Sequence, residues 1–115
     1  MTIAIARLDP RKKGLERWLG PLEAEIMTLF WGRGAALMIQ EVLDALNTQR
    51  PVAAHYAYTT VSITVNRLHT RHGVLCRERA QRHRYAHEYT PTCTQREYEQ
   101  IQTRAALAAL EQVSV

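Results

Sequence analysis

Residues 58–68 (YTTVSITVNRL) combine small hydroxyl side chains with an asparagine and an arginine. Val61, Val65 and Leu68 recur at intervals of four and three residues, which predicts one buried face of a helix. The opposite face would carry hydroxyl, amide and guanidinium groups, which bind base edges and phosphates. This stretch therefore predicts binding of a polyanion, and the alternative is an ordinary solvated helix face.

Basic residues are concentrated directly after this stretch. Six arginines lie between Arg67 and Arg84, against the single acid Glu78, and four of the five histidines fall in or beside the same region. A guanidinium group can bind two phosphate oxygens at once, so this local charge indicates a nucleic-acid partner more strongly than the overall charge of +4. A solvated basic surface is again the alternative.

The composition narrows the function classes. The chain of 115 residues, 46% of them hydrophobic, fits one folded domain. Cys76 and Cys93 are too few for a disulfide framework, and no signal sequence or apolar run of about 20 residues is found, so we expect a cytoplasmic protein without a membrane partner. No carboxylate pair, nucleophile elbow or glycine-rich phosphate loop is found, and we predict neither an enzyme nor a bound cofactor.

Three helices should position the hydroxyl-rich stretch. Residues 1–20 are interpreted as a loose arm followed by a short packing helix. The first main helix is predicted over residues 22–32 with Pro21 at its first position, and the second over residues 38–48. The hydroxyl-rich stretch is the third helix, which Gly73 should close in a left-handed conformation.

A β-hairpin and a last helix complete the predicted fold. Residues 74–79 and 85–90 have the character of two strands joined by an arginine-rich tip. Thr94 and Glu97 form a capping box that begins a final helix with a wide apolar face. This order predicts a mainly α winged helix-turn-helix domain with a small β-hairpin and a C-terminal dimerisation helix.

Several separated blocks carry a resemblance to a known family. They are residues 22–27 (LEAEIM), Trp31, residues 57–61 (AYTTV), residues 66–68 (NRL), residues 73–75 (GVL) and residues 89–91 (YTP). In this order they resemble the BlaI/MecI/CopY family of penicillinase and copper-responsive repressors. The resemblance covers residues 22–98, which is most of the chain.

The resemblance implies a winged-helix repressor that dimerises and binds a dyad operator in double-stranded DNA. Thr59, Thr60, Ser62 and Ile63 match the groove-facing positions of the family, and Arg67 lies further along the same helix. The complete set of DNA-binding residues that we predict is Tyr58, Thr59, Thr60, Ser62, Ile63, Asn66, Arg67, Arg77, Arg79, Arg82, His83 and Arg84. The predicted homodimer face is Tyr98, Ile101, Ala105, Leu107, Ala108 and Leu110.

The domain organisation that we expect has three parts. Residues 1–20 form the arm and short helix, residues 21–92 the DNA-binding domain, and residues 93–115 the dimerisation helix. About one helix follows Thr94, where the family has a multi-helix dimerisation segment that carries the inducing cleavage site. Induction by proteolysis is therefore left open, as are the operator, the target genes and any effector or partner protein.

Two smaller departures from the family pattern concern the cysteines and the predicted β-hairpin, which is called the wing from here on. One additional residue lies between Leu68 and Gly73, and residues 80–83 (AQRH) replace the usual glycine turn. Cys93 has no second cysteine beside it, so the cysteine-pair metal motif of the copper-responsive members is missing.

Two other functions are compatible with the residues. One is a winged-helix module that binds protein. Such a module should lack the combination of a basic wing and a hydroxyl-rich helix, and this sequence has both. A metal- or redox-responsive regulator could use His69, His72, Cys76, His83 and His87, although their spacing matches no standard zinc pattern.

Overall fold

The computed structural model describes residues 3–80 and 86–113. Its elements are α1 (Pro21–Arg33), α2 (Ile39–Thr48), α3 (Tyr58–Thr70), β1 (Leu75–Arg79), β2 (His87–Pro91) and α4 (Gln95–Val113). Single turns of 3₁₀ helix, Gly14–Arg17 and Val52–Ala54, precede α1 and α3. Three helices followed by an antiparallel hairpin confirm the predicted winged-helix class.

Local sequence signals set both ends of α1. Pro21 occupies the start, where its missing N–H leaves no helical bond unmade. The Glu23 carboxylate accepts a hydrogen bond from the Gly20 N–H at 2.8 Å. At the other end Gly34 adopts a left-handed φ of 64° and its N–H donates to the Phe30 carbonyl. Glycine adopts this conformation without a Cβ clash, so the helix ends there.

The capping box at the start of α4 is confirmed. The Glu97 N–H donates to Thr94 Oγ1 at 3.1 Å, and the Thr94 N–H donates to Glu97 Oε1 at 2.9 Å. Hydrogen bonding of the Glu97 carboxylate to the backbone and side chain of Thr94 lowers the pKa of Glu97. Two N–H groups that the helix leaves unpaired are thereby satisfied.

The hairpin gains a third, very short strand partner. β1 and β2 pair antiparallel from Leu75 opposite Pro91 to Arg79 opposite His87. Leu37 also exchanges two backbone hydrogen bonds with Tyr89, at 3.0 and 2.9 Å. The sequence did not predict this bridge, because one residue between two helices has no periodicity to detect. It fixes the wing to the segment between α1 and α2.

One hydrophobic core joins the helices, the hairpin and the N-terminal region. Its largest fully buried side chains include Phe30, Ile26, Met27, Leu68, Leu75 and Tyr98. Trp18 packs edge-on against Tyr98 with ring centroids 6.3 Å apart, and Trp31 lies 5.8 Å from the same ring. Burial raises the pKa of Tyr98 to about 12, which keeps the phenol neutral. The two tryptophans therefore anchor the core around this tyrosine.

The N-terminal arm, defined here as residues 3–8, is irregular but is not loose. The Ala4 N–H donates to the His72 carbonyl, and Gln102 Nε2 donates to the Ala4 carbonyl, both at 2.9 Å. The Ala6 N–H donates to Gln102 Oε1, also at 2.9 Å. The prediction of a loose arm was therefore wrong, because its partners lie far away along the chain and leave no local sequence signal.

Glu23 is a buried carboxylate that joins α1 to the end of α3. Its Oε2 lies 2.9 Å from His72 Nε2, while Oε1 accepts the bond from Gly20. The hydrogen bond from His72 is the main cause that lowers the pKa of Glu23, and burial opposes it. Ionised Glu23 therefore stabilises the fold above its ordinary pKa of 4.5, and this stabilisation is lost as the pH falls through the lower folded-state value.

We expect Glu23→Gln to lower the free energy of unfolding by about 1–3 kcal/mol near neutral pH, because a buried charge-assisted bond is weakened. The difference from the unsubstituted protein should shrink as the pH falls through the lowered pKa of Glu23, because both side chains are then neutral. Urea denaturation at several pH values measures it, with exposed Glu16→Gln as the control. An equal loss at all pH values would contradict this account.

Candidate nucleic-acid interface

The two faces of α3 differ completely in exposure. Val61, Val65 and Leu68 are fully buried against the core, as predicted from their spacing. The other face is exposed and consists of Tyr58, Thr59, Thr60, Ile63, Asn66, Arg67 and Thr70. Ile63 has 60% of its surface exposed, which is unusual for an isoleucine in a folded helix. The exposed face of α3 is thus polar with one apolar residue near its centre.

Two hydroxyl residues of α3 are not on its exposed face. Ser62, which the sequence placed among the DNA-binding residues, is half-buried at the border. Thr64 is buried, and its hydroxyl donates to the Thr60 carbonyl at 2.8 Å. Thr64 is therefore satisfied within the helix, while the side chains of Thr59 and Thr60 stay on the surface.

An asparagine fixes the turn that leads into α3. The Tyr56 N–H donates to Asn47 Oδ1 at 2.9 Å, and Asn47 Nδ2 donates to the Tyr56 carbonyl at 3.1 Å. One side chain near the end of α2 thus bonds both backbone groups of a residue just before α3. This pair sets the direction in which α3 begins.

An ion pair supports the same turn from the side of α1. The Arg50 guanidinium lies 3.0 Å from Glu25 and 4.5 Å from the centre of the Tyr56 ring. The Tyr56 hydroxyl donates to Glu25 Oε2 at 3.2 Å. Partial burial and the neighbouring Glu25 charge raise the pKa of Tyr56. Because the pair is partly exposed, its main effect is to restrict the geometry of the turn.

The carboxyl end of α3 is held by the wing. His69 Nδ1 donates to the Leu75 carbonyl at 2.9 Å, and the His69 ring packs edge-on against Tyr89. Gly73 has a left-handed φ of 68°, which confirms its predicted conformation. The Val74 N–H then donates back to Leu68 at 3.1 Å. These contacts turn the chain from α3 into β1 within four residues.

The wing adds exposed positive charge beside α3. Arg77 and Arg79 are both exposed on β1. In an antiparallel pair residues two apart lie on the same face of the strand, so the two guanidinium groups share one face. The predicted DNA-binding residues Arg82, His83 and Arg84 lie outside the described residues.

Three of the residues considered for a metal or redox site have separate hydrogen-bond partners. His69 bonds Leu75, His72 bonds Glu23, and Cys76 Sγ lies 2.9 Å from the Thr90 hydroxyl. Within residues 3–80 and 86–113, no group of three or more histidine, cysteine or acidic residues is arranged to hold a metal ion. His83 lies outside these residues.

The predicted dimer face of α4 divides into a buried and an exposed part. Tyr98 is fully buried in the core of its own chain between Trp18 and Trp31, so its ring is not available to a partner. Ile101 and Ala105 are half-buried. Leu107, Ala108 and Leu110 are exposed on the second half of the helix, with Leu107 at 56% and Leu110 at 65%.

The family model described as penicillinase repressor matches residues 19–115. The chain belongs to this family. The match covers both the hydroxyl-rich helix and the wing, so the sequence resemblance is confirmed over nearly the whole chain. Comparisons with curated proteins and with solved structures gave no match.

Membership in the penicillinase repressor family fixes the general function. It is a family of DNA-binding transcriptional repressors and not a family of enzymes. None of the described helices has the length and apolar character needed to cross a membrane. The exposed face of α3 and the arginines of β1 form the candidate interface of a winged-helix repressor.

Sequence reasoning missed the residues that position this interface. Asn47, Tyr56 and Gln102 were not singled out, although each makes side-chain or backbone hydrogen bonds between elements. Asn47 lies one residue before the end of α2, where an amide could have been read as a local cap. A signal was therefore present for Asn47, but the partner could not be read from the sequence.

Asn47→Ala should lower the free energy of unfolding by about 1–3 kcal/mol, since both backbone groups of Tyr56 lose their partner. It should also weaken binding to DNA, because α3 would no longer begin in a fixed direction. Urea denaturation and a DNA titration measure the two effects. Gln49→Ala, an exposed change on the same turn, is the control. A stable Asn47→Ala protein with unchanged DNA affinity would refute the positioning role.

Proposed function

We propose that this chain is a sequence-specific repressor that binds a palindromic operator as a homodimer. The observation that carries the proposal is the exposed outer face of α3, which within residues 3–80 and 86–113 is held from its inner side and its ends. Small side chains at Thr59 and Thr60 allow the helix backbone to approach the bases, and their hydroxyl groups can bond base edges. The exposed Ile63 can contact the methyl group of thymine, as apolar side chains do in the major groove.

The start of α3 is suited to a phosphate. Its N-cap is Ala57, whose side chain makes no capping hydrogen bond, so the N–H groups of the first turn are not satisfied in this way. Such amides and the helix dipole attract anions. We propose that Tyr58 and Ser62, one turn apart on the same side of the helix, support this contact, and that Asn66 reads a base edge further along the groove.

The basic residues should contact the phosphate backbone. Arg67 lies near the carboxyl end of α3, while Arg77 and Arg79 extend the positive surface along β1. Each phosphate contact releases counterions, which makes affinity depend on salt but not on sequence. Arg82, His83 and Arg84 remain predicted phosphate contacts at the tip of the wing.

We propose that the second half of α4 forms the homodimer contact. Leu107 and Leu110 are exposed there, and large exposed apolar side chains that lie close together mark interaction surfaces. A two-fold axis through this helix would place two copies of α3 in successive major grooves, about 34 Å apart. In this proposal residues 21–92 are the DNA-binding domain and residues 93–115 are the dimerisation helix. Residues 1–20, the arm and short helix, support them. A cytoplasmic location belongs to the same proposal.

The two classes of contact should separate by substitution. After selection of the operator from a random duplex library at near-physiological salt, Thr60→Ala should cost about 1–3 kcal/mol on the operator and little on unrelated DNA. Arg77→Ala with Arg79→Ala should weaken both kinds of DNA and reduce the salt slope by about 1.8, because two phosphate contacts are lost. Titrations at several salt concentrations measure both effects.

Each outcome has a distinct meaning for the proposal. An intact operator preference in Thr60→Ala would remove that residue from base readout. Selection of no shared motif, with binding of the unsubstituted protein insensitive to salt, would favour a protein-interaction module instead. An apolar protein interface responds little to ionic strength, whereas binding through phosphates falls steeply.

The double substitution Leu107→Glu with Leu110→Glu should produce monomers, because two charges would have to be buried in the proposed contact. Affinity for the two-half-site operator should fall by about hundredfold or more, while binding to a single half-site is retained. Analytical ultracentrifugation gives the oligomeric state. Gln100→Glu with Thr103→Glu, at exposed positions, provides an equally charged control on the same helix. If the first double variant still sedimented as a dimer, the contact would lie elsewhere.

A further inference from the structure

One residue of the N-terminal arm joins the end of α3 to the middle of α4. The Ala4 N–H donates to the carbonyl of His72, two residues after the end of α3, at 2.9 Å. The Ala4 carbonyl accepts a hydrogen bond from Gln102 Nε2, also at 2.9 Å. The arm therefore connects the helix that should read DNA to the helix that should hold the dimer.

The side-chain amide of Gln102 makes two hydrogen bonds with the arm. The residue is 1% exposed, Nε2 donates to the Ala4 carbonyl, and Oε1 accepts from the Ala6 N–H. A buried amide that loses hydrogen-bond partners costs free energy, so these two bonds favour the position of the arm against α4. In turn, the Ala4 carbonyl and the Ala6 N–H obtain these bonds only from Gln102 among the described contacts.

The same contact lies at the point where α4 leaves the body of the protein. Ala105 and Ala106 are half-buried, and residues 107–112 are exposed. Gln102 is the last buried side chain of α4 within residues 95–112. The direction of the exposed half of α4 is consequently fixed by the bonds at Gln102 and by the packing of Tyr98 one turn earlier.

A small change at Gln102 has a large effect at the proposed dimer contact. Leu110 lies eight residues further along α4, or about 12 Å at 1.5 Å per residue. A change of about 20° in the direction of the helix would displace Leu110 by about 4 Å. Successive bases of one DNA strand are about 3.4 Å apart along the axis, so this displacement is comparable to one base pair.

The arm also lies outside the part of the chain that the family model matches, which begins at residue 19. We infer that the N-terminal arm, through Gln102, sets the spacing between the two operator half-sites that the dimer accepts. The inference rests on the proposed homodimer and palindromic operator. Gln102 acts here as a positioning residue and does not touch DNA.

Gln102→Met tests this role because methionine has a similar length and no hydrogen-bonding amide. Operators with zero, one or two base pairs added between the half-sites are titrated with each protein. The unsubstituted protein should lose roughly tenfold in affinity for one added base pair, as it would for a misplaced contact. In Gln102→Met this ratio should fall to about threefold or less, while affinity for an isolated half-site stays unchanged. Gln100→Met, an exposed change on the same helix, is the matched control.

A second variant removes the arm's partner in the hydrogen bond between the Ala6 N–H and Gln102 Oε1. Ala6→Pro removes the donor N–H and leaves α4 untouched. Both variants should remain folded dimers, as judged by circular dichroism and sedimentation. In both, an added base pair between the half-sites should lower the affinity less than it does for the unsubstituted protein. Hydrogen exchange at the Ala4 amide, which bonds His72, should become faster when the arm is released.

Failure of this inference can be distinguished from failure of the proposed function. If the unsubstituted protein selects no pair of half-sites, or tolerates all spacings equally, the proposed function itself fails. If it has a spacing preference and neither variant changes that preference, the arm does not set the spacing and the inference is overturned. Equal losses of half-site and operator affinity in both variants would also overturn it, since they would show a general structural role.

Discussion

The helix that we propose reads DNA, α3, has to be held firmly from one side while the other side stays exposed. Every strong contact of α3 obeys this constraint. Val61, Val65 and Leu68 fill the core, and the two ends are fixed by hydrogen bonds that do not cross the outer face. Asn47 sets the direction of entry through Tyr56, and the wing receives the helix at its exit. Most side chains of the exposed face are thus left free of the contacts that position the helix.

The buried polar groups determine the relative positions of the elements more than they increase the free energy of unfolding. Glu23, Thr64 and Gln102 are the buried polar or charged residues of the described chain, and each has hydrogen-bond partners. Burying such groups returns little net free energy, but misplacing them leaves a donor or acceptor unpaired. Glu23 and Gln102 therefore specify which elements meet, since each joins parts of the chain that lie far apart in sequence.

The family-matched segment and the N-terminal arm have complementary tasks. The segment from residue 19 onward contains the reading helix, the wing and the projecting half of α4. The arm connects the first and last of these through Ala4. A dimeric reader needs a defined distance between its two reading helices, and the proposed dimer residues Leu107 and Leu110 lie beyond the last buried side chain of α4 within residues 95–112. In the proposed dimer, the arm would supply a second point of support for α4.

Local patterns in the sequence determined the elements of this protein. The buried face of α3 follows from the spacing of Val61, Val65 and Leu68, and its end from Gly73. The start of α4 follows from the capping box of Thr94 and Glu97. Each of these signals lies within a few residues of the sequence. The block order also identified the family, which the family model confirms.

Tertiary structure alone decided how these elements are joined. Tyr98 lies on the apolar face of α4, and only the positions of Trp18 and Trp31 place it in the core and away from a partner. Gln102 bonds residues 96 and 98 positions away, and Leu37 pairs with Tyr89 as a single residue. Such contacts leave no periodic trace in the chain, because hydrogen-bond partners are chosen by distance in space and not by separation along the sequence.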